Sequence, residues 1–212
     1  MLKKYLSRIK FHLPFAHYPY KKFMIKNKCL FVHIPKNAGS SVLKFFDDKG
    51  YRWHAKWFDF FESNPVFFES FHKFAIVREP AQRVFSAYNY IINGGNHSPS
   101  DLELKAYIES GSENFEQFVE NVLDHDFLLF QTLFQPQVFY IYDRHYKCRV
   151  DTILYYENLD SEWSAFSKSQ NWHAQLPWEN KGRITKVVDI SASAQAKIKT
   201  LYQKDYEFLG YQ

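Results

Sequence analysis

Lys36, Gly39, Ser40 and Ser41 stand close together in FVHIPKNAGSS, residues 31–41. An apolar run stops at Pro35, and small residues and hydroxyls follow. A turn that delivers a strand into a helix offers backbone N–H groups to an anion, and the helix dipole favours negative charge there. Gly39 lets the backbone come close to a bound group, and the two serines add hydroxyls. The nucleotide pattern G-x-x-x-x-G-K-[ST] is absent, so no Walker lysine and no Mg²⁺-binding hydroxyl follow it. A second set lies in FAIVREPAQRVFSAYNY, residues 74–90. Arg78 leaves the carboxyl end of an apolar run, Pro80 suits a first helical turn, and Ser86 lies about two helical turns in. A guanidinium presents a planar fork of donors to a phosphate. Each stretch alone also fits an ordinary strand–turn–helix corner, with Lys36 in solvent and Arg78 in a structural ion pair.

The elements around these residues follow from apolar spacing. Cys29–Ile34 reads as a buried strand bounded by Pro35. A helix capped by Ser40 or Ser41 should follow, with Val42, Leu43, Phe45 and Phe46 on its apolar face and Gly50 ending it. Residues 51–72 are aromatic-rich without a clean period. Phe74–Val77 predicts a second strand, and Val84, Tyr88 and Ile91 carry the next helix to about Ile92. NGGNHSPSD, residues 93–101, reads as a loop. Ser112 precedes Phe115, Phe118, Val119, Val122 and Leu123 at helical spacing. Val138–Tyr142 and Thr152–Tyr156 are further strand candidates, and a last helix runs from about Ser193 towards Tyr206. Strands alternating with helices imply an α/β fold, a parallel sheet with helices on its faces. In such sheets ligands sit beyond the carboxyl ends of strands, where both stretches lie.

Together the two stretches resemble the carbohydrate sulfotransferase family, in its type-2 branch. FVHIPKNAGSS is similar to that family's 5′-phosphosulfate loop, F-x-H-I-P-K-[TC]-[GA]-G-[TS]-[ST]. FAIVREPAQRVFSAYNY is similar to its 3′-phosphate motif, F-x-x-V-R-[DN]-P-x-x-R-x-x-S-x-Y. The likeness continues in PQVFYIY (136–142), in DTILYYENLD (151–160) and in KDYEFLGY (204–211), and spans roughly residues 29–212. Two positions depart from the pattern: Asn37 stands for Thr or Cys, and Glu79 for Asp or Asn. Asn37 remains a donor, and Glu79 is placed to cap the following helix.

The resemblance implies a single P-loop-like sulfotransferase domain over 29–212, a basic extension over 1–28, and the donor 3′-phosphoadenosine 5′-phosphosulfate (PAPS). The product is then adenosine 3′,5′-bisphosphate. Pro35, Lys36, Asn37, Ala38, Gly39, Ser40 and Ser41 would form the phosphosulfate loop. Lys36 would stabilise charge growing on the bridging oxygen as the S–O bond breaks. Arg78 and Ser86 would bind the 3′-phosphate, and Lys181 and Arg183 in NKGRITK (180–186) are further donor or acceptor contacts, with a solvated charge run as the alternative. Transfer to a hydroxyl needs a base, and a histidine suits neutral pH. His54, in YRWHAKWFDFF (51–61), resembles the family's histidine stretch, with Glu62 and Glu69 in reserve. His33 supports the loop, His72 reads as structural, and Trp53 and Trp57 fit either a sugar-stacking or a core role. The nine histidines include no cluster with zinc-ligand spacing, and no metal is expected.

Composition bounds these expectations. The chain has 212 residues and a formal charge of +4. Residues 1–46 hold ten Lys/Arg and no Asp/Glu, leaving 17 basic and 23 acidic residues beyond them. That field suits an anionic ligand or a membrane surface rather than a nucleic-acid groove. Leu2, Leu6, Ile9 and Leu13 share a helical face with Lys3, Lys4, Arg8 and Lys10 elsewhere, a pattern that fits either an anionic membrane or packing on the chain's own domain. Cys29 and Cys148 cannot make a disulfide framework. The expected setting is the cytoplasm of a bacterium, with a trimmed secretory-pathway enzyme as the alternative. The expected partner is a carbohydrate acceptor: a glycan, polysaccharide or glycolipid. The rival readings are a P-loop kinase of a small molecule and a non-catalytic polyanion-binding module of the same family.

Overall fold

The computed structural model describes residues 18–177 and 190–212. Within them the chain divides into two units, each with its own core. One comprises 18–34, 38–77 and 139–177, and the other 35–37, 78–138 and 190–212.

The first unit opens with α1 (Lys22–Asn27), which ends at Lys28 in the left-handed region and turns directly into β1 (Cys29–Val32). All four residues of β1 are buried, as a short continuous apolar run between covered faces should be. Then come α2 (Gly39–Phe45), α3 (Trp57–Ser63), α4 (Pro65–Ser70) and β2 (His72–Val77). Later in the chain β3 (Thr152–Tyr155) and α10 (Leu159–Ser169) complete it. The sheet is parallel in the order β1-β2-β3, with Val32 opposite Ala75 and Phe74 opposite Thr152. The expected α/β architecture with a parallel sheet is therefore present. Phe74 on the central strand stacks on Phe31 at 5.0 Å and meets Phe166 at 4.8 Å, so aromatic faces join the sheet to α10.

The second unit contains α5 (Pro80–Ile92), α6 (Pro99–Gly111), a short α7 (Phe115–Gln117) running into a π-turn over Phe118–Val122, and α8 (His125–Phe130). Val138, the last residue of the 78–138 segment, opens the four-residue α9 (Val138–Ile141), whose remaining residues belong to the first unit, and α11 (Ala192–Leu201) and α12 (Gln203–Leu209) close the chain. Val84, Ala87, Ile91, Phe118, Phe134, Ile198 and Tyr202 form the centre of its core. Pro80 stands at the start of α5 as expected, and Glu79 caps it by accepting from the N–H groups of Ala81 and Gln82.

Several sequence expectations need correction. Val138–Tyr142 is β-rich in composition yet forms α9. The Asp205 carboxylate accepts from the N–H groups of both Gln137 and Val138 at 2.9 Å, meeting donors that a helix start leaves open. Neither Ser40 nor Ser41 caps α2: the cap is Ala38, no side chain bonds there, and the helix ends at Phe45 rather than at Gly50. Ser98 caps α6 by accepting from Asp101, so a helix begins inside the stretch that reads as a loop. The helical pattern of 115–123 is a three-residue helix capped by Asn114 and then a π-turn, which the Leu123 N–H closes onto the Phe118 carbonyl. The last predicted helix is two, separated at Tyr202, whose buried hydroxyl donates to the Phe134 carbonyl at 2.6 Å. Residues 51–72 contain α3 and α4, held by packing rather than by period.

Phe74 gives the first unit its clearest energetic test. Truncating a buried aromatic removes its transfer energy and leaves a cavity. Phe74→Ala should lose about 3–5 kcal/mol in denaturant unfolding. Phe130→Ala, at a residue 78 % exposed, should stay within about 0.5 kcal/mol.

Candidate functional site

Residues 33–38 link the end of β1 to α2, and Arg78 follows the last residue of β2. The chemistry-bearing residues thus leave neighbouring parallel strands at their carboxyl ends, the edge where open α/β sheets bind ligands. The loop backbone departs from ordinary regions twice: Lys36 has φ 69° and Ala38 φ 57°. A non-glycine residue at positive φ costs of order 1 kcal/mol or more. Turns of this kind gather successive N–H groups into a concavity suited to an anion. The N–H groups of Ala38, Gly39 and Ser40 meet no acceptor among the described residues.

Gly39 itself is not at positive φ. What it requires is room, because a Cβ there would lie 1.7 Å from His33 Nε2. His33 is buried, lies 5.2 Å from the Phe31 ring, and packs against His54 with ring centroids 4.4 Å apart. Burial pushes its pKa well below the usual imidazole value, and the nearby His54, Arg52 and Lys21 push the same way. His33 is therefore neutral. His54 is half-buried, and its Nδ1 lies 3.2 Å from the His33 carbonyl oxygen. A carbonyl can only accept, so Nδ1 carries the proton and Nε2 is the basic nitrogen. Within the first unit, then, the glycine of the loop, His33 and His54 form one stack.

Trp53 and Trp57 do not share a setting. Trp53 is 37 % exposed, lies edge-on to Tyr18, and receives the Lys21 ammonium at 5.3 Å. Trp57 donates to the Tyr142 carbonyl and carries Arg149 over its ring at 4.8 Å, a structural role. Glu62 is exposed, and Glu69 is mostly exposed with Arg149 3.6 Å away. His72 Nε2 lies 2.9 Å from the Thr152 hydroxyl across the sheet, as a structural histidine would.

The second unit gathers the other set. The Lys36 ammonium lies 4.1 Å from the Tyr90 ring centroid. Gln137, fully buried, accepts at Oε1 from the Asn37 amide at 2.7 Å and from the Arg78 N–H at 2.9 Å. Its own amide donates to the Arg78 carbonyl at 2.7 Å. Arg78 and Ser86 are buried. Arg83, fully buried, donates to the carbonyls of Leu133, Phe134 and Gln135 and so fixes the segment that carries Gln137.

Sequence reasoning assigned no part to Gln137, Asp205 or Tyr90, although the first two lie in PQVFYIY and KDYEFLGY. Lys181 and Arg183 lie outside the described residues, as does the amphipathic pattern of Leu2, Leu6, Ile9 and Leu13. Among the described residues no group of three His, Cys, Asp or Glu is placed to hold a metal ion, and no helix is long and apolar enough to cross a membrane.

The chain matches the Sulfotransferase family over residues 22–212. It belongs to that family, and sulfuryl transfer is the chemistry the family defines. No curated protein and no solved structure shows a significant match.

Gly39 and His33 should be energetically coupled. Gly39→Ala should destabilise the protein, and His33→Ala should recover part of that loss, with a coupling of about 0.5–3 kcal/mol in a double-mutant cycle. The neutral His33 also sets a pH window. Its pKa rises towards about 6.5 on unfolding, so its contribution is whole above that pH and drains away as the pH falls towards the folded value. The melting temperature should fall more in the wild type than in His33→Gln between about pH 7.5 and about pH 5.5.

Proposed function

We propose that the protein transfers a sulfuryl group from PAPS to a hydroxyl of a carbohydrate acceptor. Family membership supplies the reaction class. The observation that carries the donor assignment is Gln137, which bonds to Asn37 in the loop motif and to Arg78 in the 3′-phosphate motif. Two sequence motifs that resemble the two phosphate-binding elements of one nucleotide are thereby tied to one side chain.

Under this reading the N–H groups of Ala38, Gly39 and Ser40 and the Ser40 hydroxyl hold the 5′-phosphosulfate. The Arg78 guanidinium and Ser86 hydroxyl hold the 3′-phosphate. Ser86 suits that task as a buried hydroxyl on α5, the helix that starts just after Arg78. Lys36 stabilises the negative charge left on the bridging phosphate oxygen as its bond to sulfur breaks. His54 Nε2 takes the acceptor proton as the acceptor oxygen bonds to sulfur, and the His33 carbonyl fixes the tautomer that makes this nitrogen basic. In-line positioning and charge stabilisation account for the catalysis, as in phosphoryl transfer. Trp53, one position before His54 and 37 % exposed, has an aromatic face suited to an acceptor sugar ring.

Calorimetry tests the donor site. Adenosine 3′,5′-bisphosphate should bind more tightly than adenosine 5′-phosphate by about 1.5–3 kcal/mol, or roughly one to two decades. Arg78→Ala should erase most of that difference, and equal wild-type affinities would remove the 3′-phosphate site.

Kinetics tests the base. His54→Ala should keep donor affinity and lower kcat by roughly 10²–10⁴-fold. The imidazole-like acid limb of the wild-type pH–rate profile should vanish in His54→Gln and persist in Lys36→Ala. A near-normal kcat in folded His54→Ala would pass the role to Glu62, Glu69 or a group on the acceptor.

A further inference from the structure

The sulfotransferase loop pattern carries Thr or Cys where this chain has Asn37. Neither alternative has an amide nitrogen, and the Asn37 amide is what meets Gln137 at 2.7 Å. Gln137 then has no spare bonding capacity on the oxygen that faces the loop. Its Oε1 accepts from Asn37 and from the Arg78 N–H, while its Nε2 donates to the Arg78 carbonyl. The side chain thus brackets the peptide group on each side of the Arg78 Cα. That bracket sets the direction in which the guanidinium leaves the backbone.

Gln137 is itself fixed from behind. Its N–H and that of Val138 donate to the two oxygens of Asp205, and Arg83 holds the carbonyls of Leu133, Phe134 and Gln135. Gln137 and Asp205 are fully buried, and Asn37 is nearly so. A buried amide whose oxygen and nitrogen are both used has one orientation, because flipping it would place nitrogen against two donors and oxygen against a carbonyl.

We propose that Gln137 is a positioning residue that couples the phosphosulfate loop to the 3′-phosphate arm. It does so by holding the Asn37 side chain and the Arg78 backbone in one hydrogen-bonded frame. Asn37 is the loop's half of this coupling. The inference rests on the donor reading above, since it assigns Arg78 to the 3′-phosphate. It adds that a change on the 5′ side, at Asn37, alters recognition on the 3′ side.

The test is the affinity ratio of adenosine 3′,5′-bisphosphate to adenosine 5′-phosphate, titrated calorimetrically and read per folded binding site. Gln137→Met keeps the size of the side chain and removes all three bonds. Its ratio should fall by about tenfold or more, towards that of Arg78→Ala, since misplacing a positioned group by an ångström costs on the order of 10²-fold. Asn37→Ala leaves both bonds to Arg78 in place, and its ratio should fall as well, by a smaller factor. In the double variant Asn37→Ala should have no further effect on the ratio. A merely structural Gln137 would lower melting temperature and folded fraction with the ratio kept, and that result overturns the proposal. So do effects of the two substitutions that simply multiply. Should Gln137→Met yield no folded protein, Asn37→Ala decides alone: an unchanged ratio with both affinities lowered equally sinks the coupling. Equal wild-type affinity for the two nucleotides would instead sink the donor reading and this inference with it.

Discussion

The second unit is organised by a carboxylate with almost no access to water. Asp205 is fully buried, and burial raises its pKa, while Arg83 and the N–H groups of Gln137 and Val138 act to keep it ionised. Removing a carboxylate from water costs several kcal/mol unless hydrogen bonds replace its hydration. The two N–H groups at 2.9 Å supply that replacement. They also tie residues 137–138 to that carboxylate, which accepts from the N–H groups of both. Everything ahead of that point inherits the constraint. Gln137 can turn its amide towards Arg78 and Asn37 because its own backbone is held from the other side.

Arg83 completes the same logic by a different route. A guanidinium can serve three carbonyls at once because its donors lie in one plane. It bonds to Leu133, Phe134 and Gln135, and the Tyr202 hydroxyl adds a second donor to the Phe134 carbonyl. An irregular segment beside a core has no ladder to satisfy its carbonyls, so side chains must do so. Here Arg83 of α5 and Tyr202, between α11 and α12, lend the donors that the irregular segment needs.

The parts legible in the sequence were those set by neighbours along the chain. The short apolar runs gave β1, β2 and β3, Pro80 and Glu79 gave the start of α5, and the two phosphate-type motifs stood out from their own spacing. What escaped depends on distant partners. Val138–Tyr142 has the composition of a strand, and a carboxylate 67 positions away from Val138 makes its start helical. Gly39 looked like a residue kept for close approach to a ligand, whereas the ring of His33 already fills the space of its Cβ. The positive φ values fall on Lys36 and Ala38, residue types that give no sign of it. The role of Gln137 was likewise invisible, because a glutamine acquires meaning only from what its amide reaches. Lys181 and Arg183 lie outside the described residues.

The Lys36 ammonium over Tyr90 has a consequence for how readily that charge can respond. An aromatic face covers one side of the cation and replaces water that would otherwise surround it. Such contacts are worth roughly 0.5–2 kcal/mol, well below a close pairing with a dianion in a sheltered site. The ring therefore restrains one side of a long, flexible side chain. Part of the rotamer entropy a lysine loses on meeting an anion has already been lost in the folded protein. Tyr90 acts in effect as a rest, keeping the charge ordered.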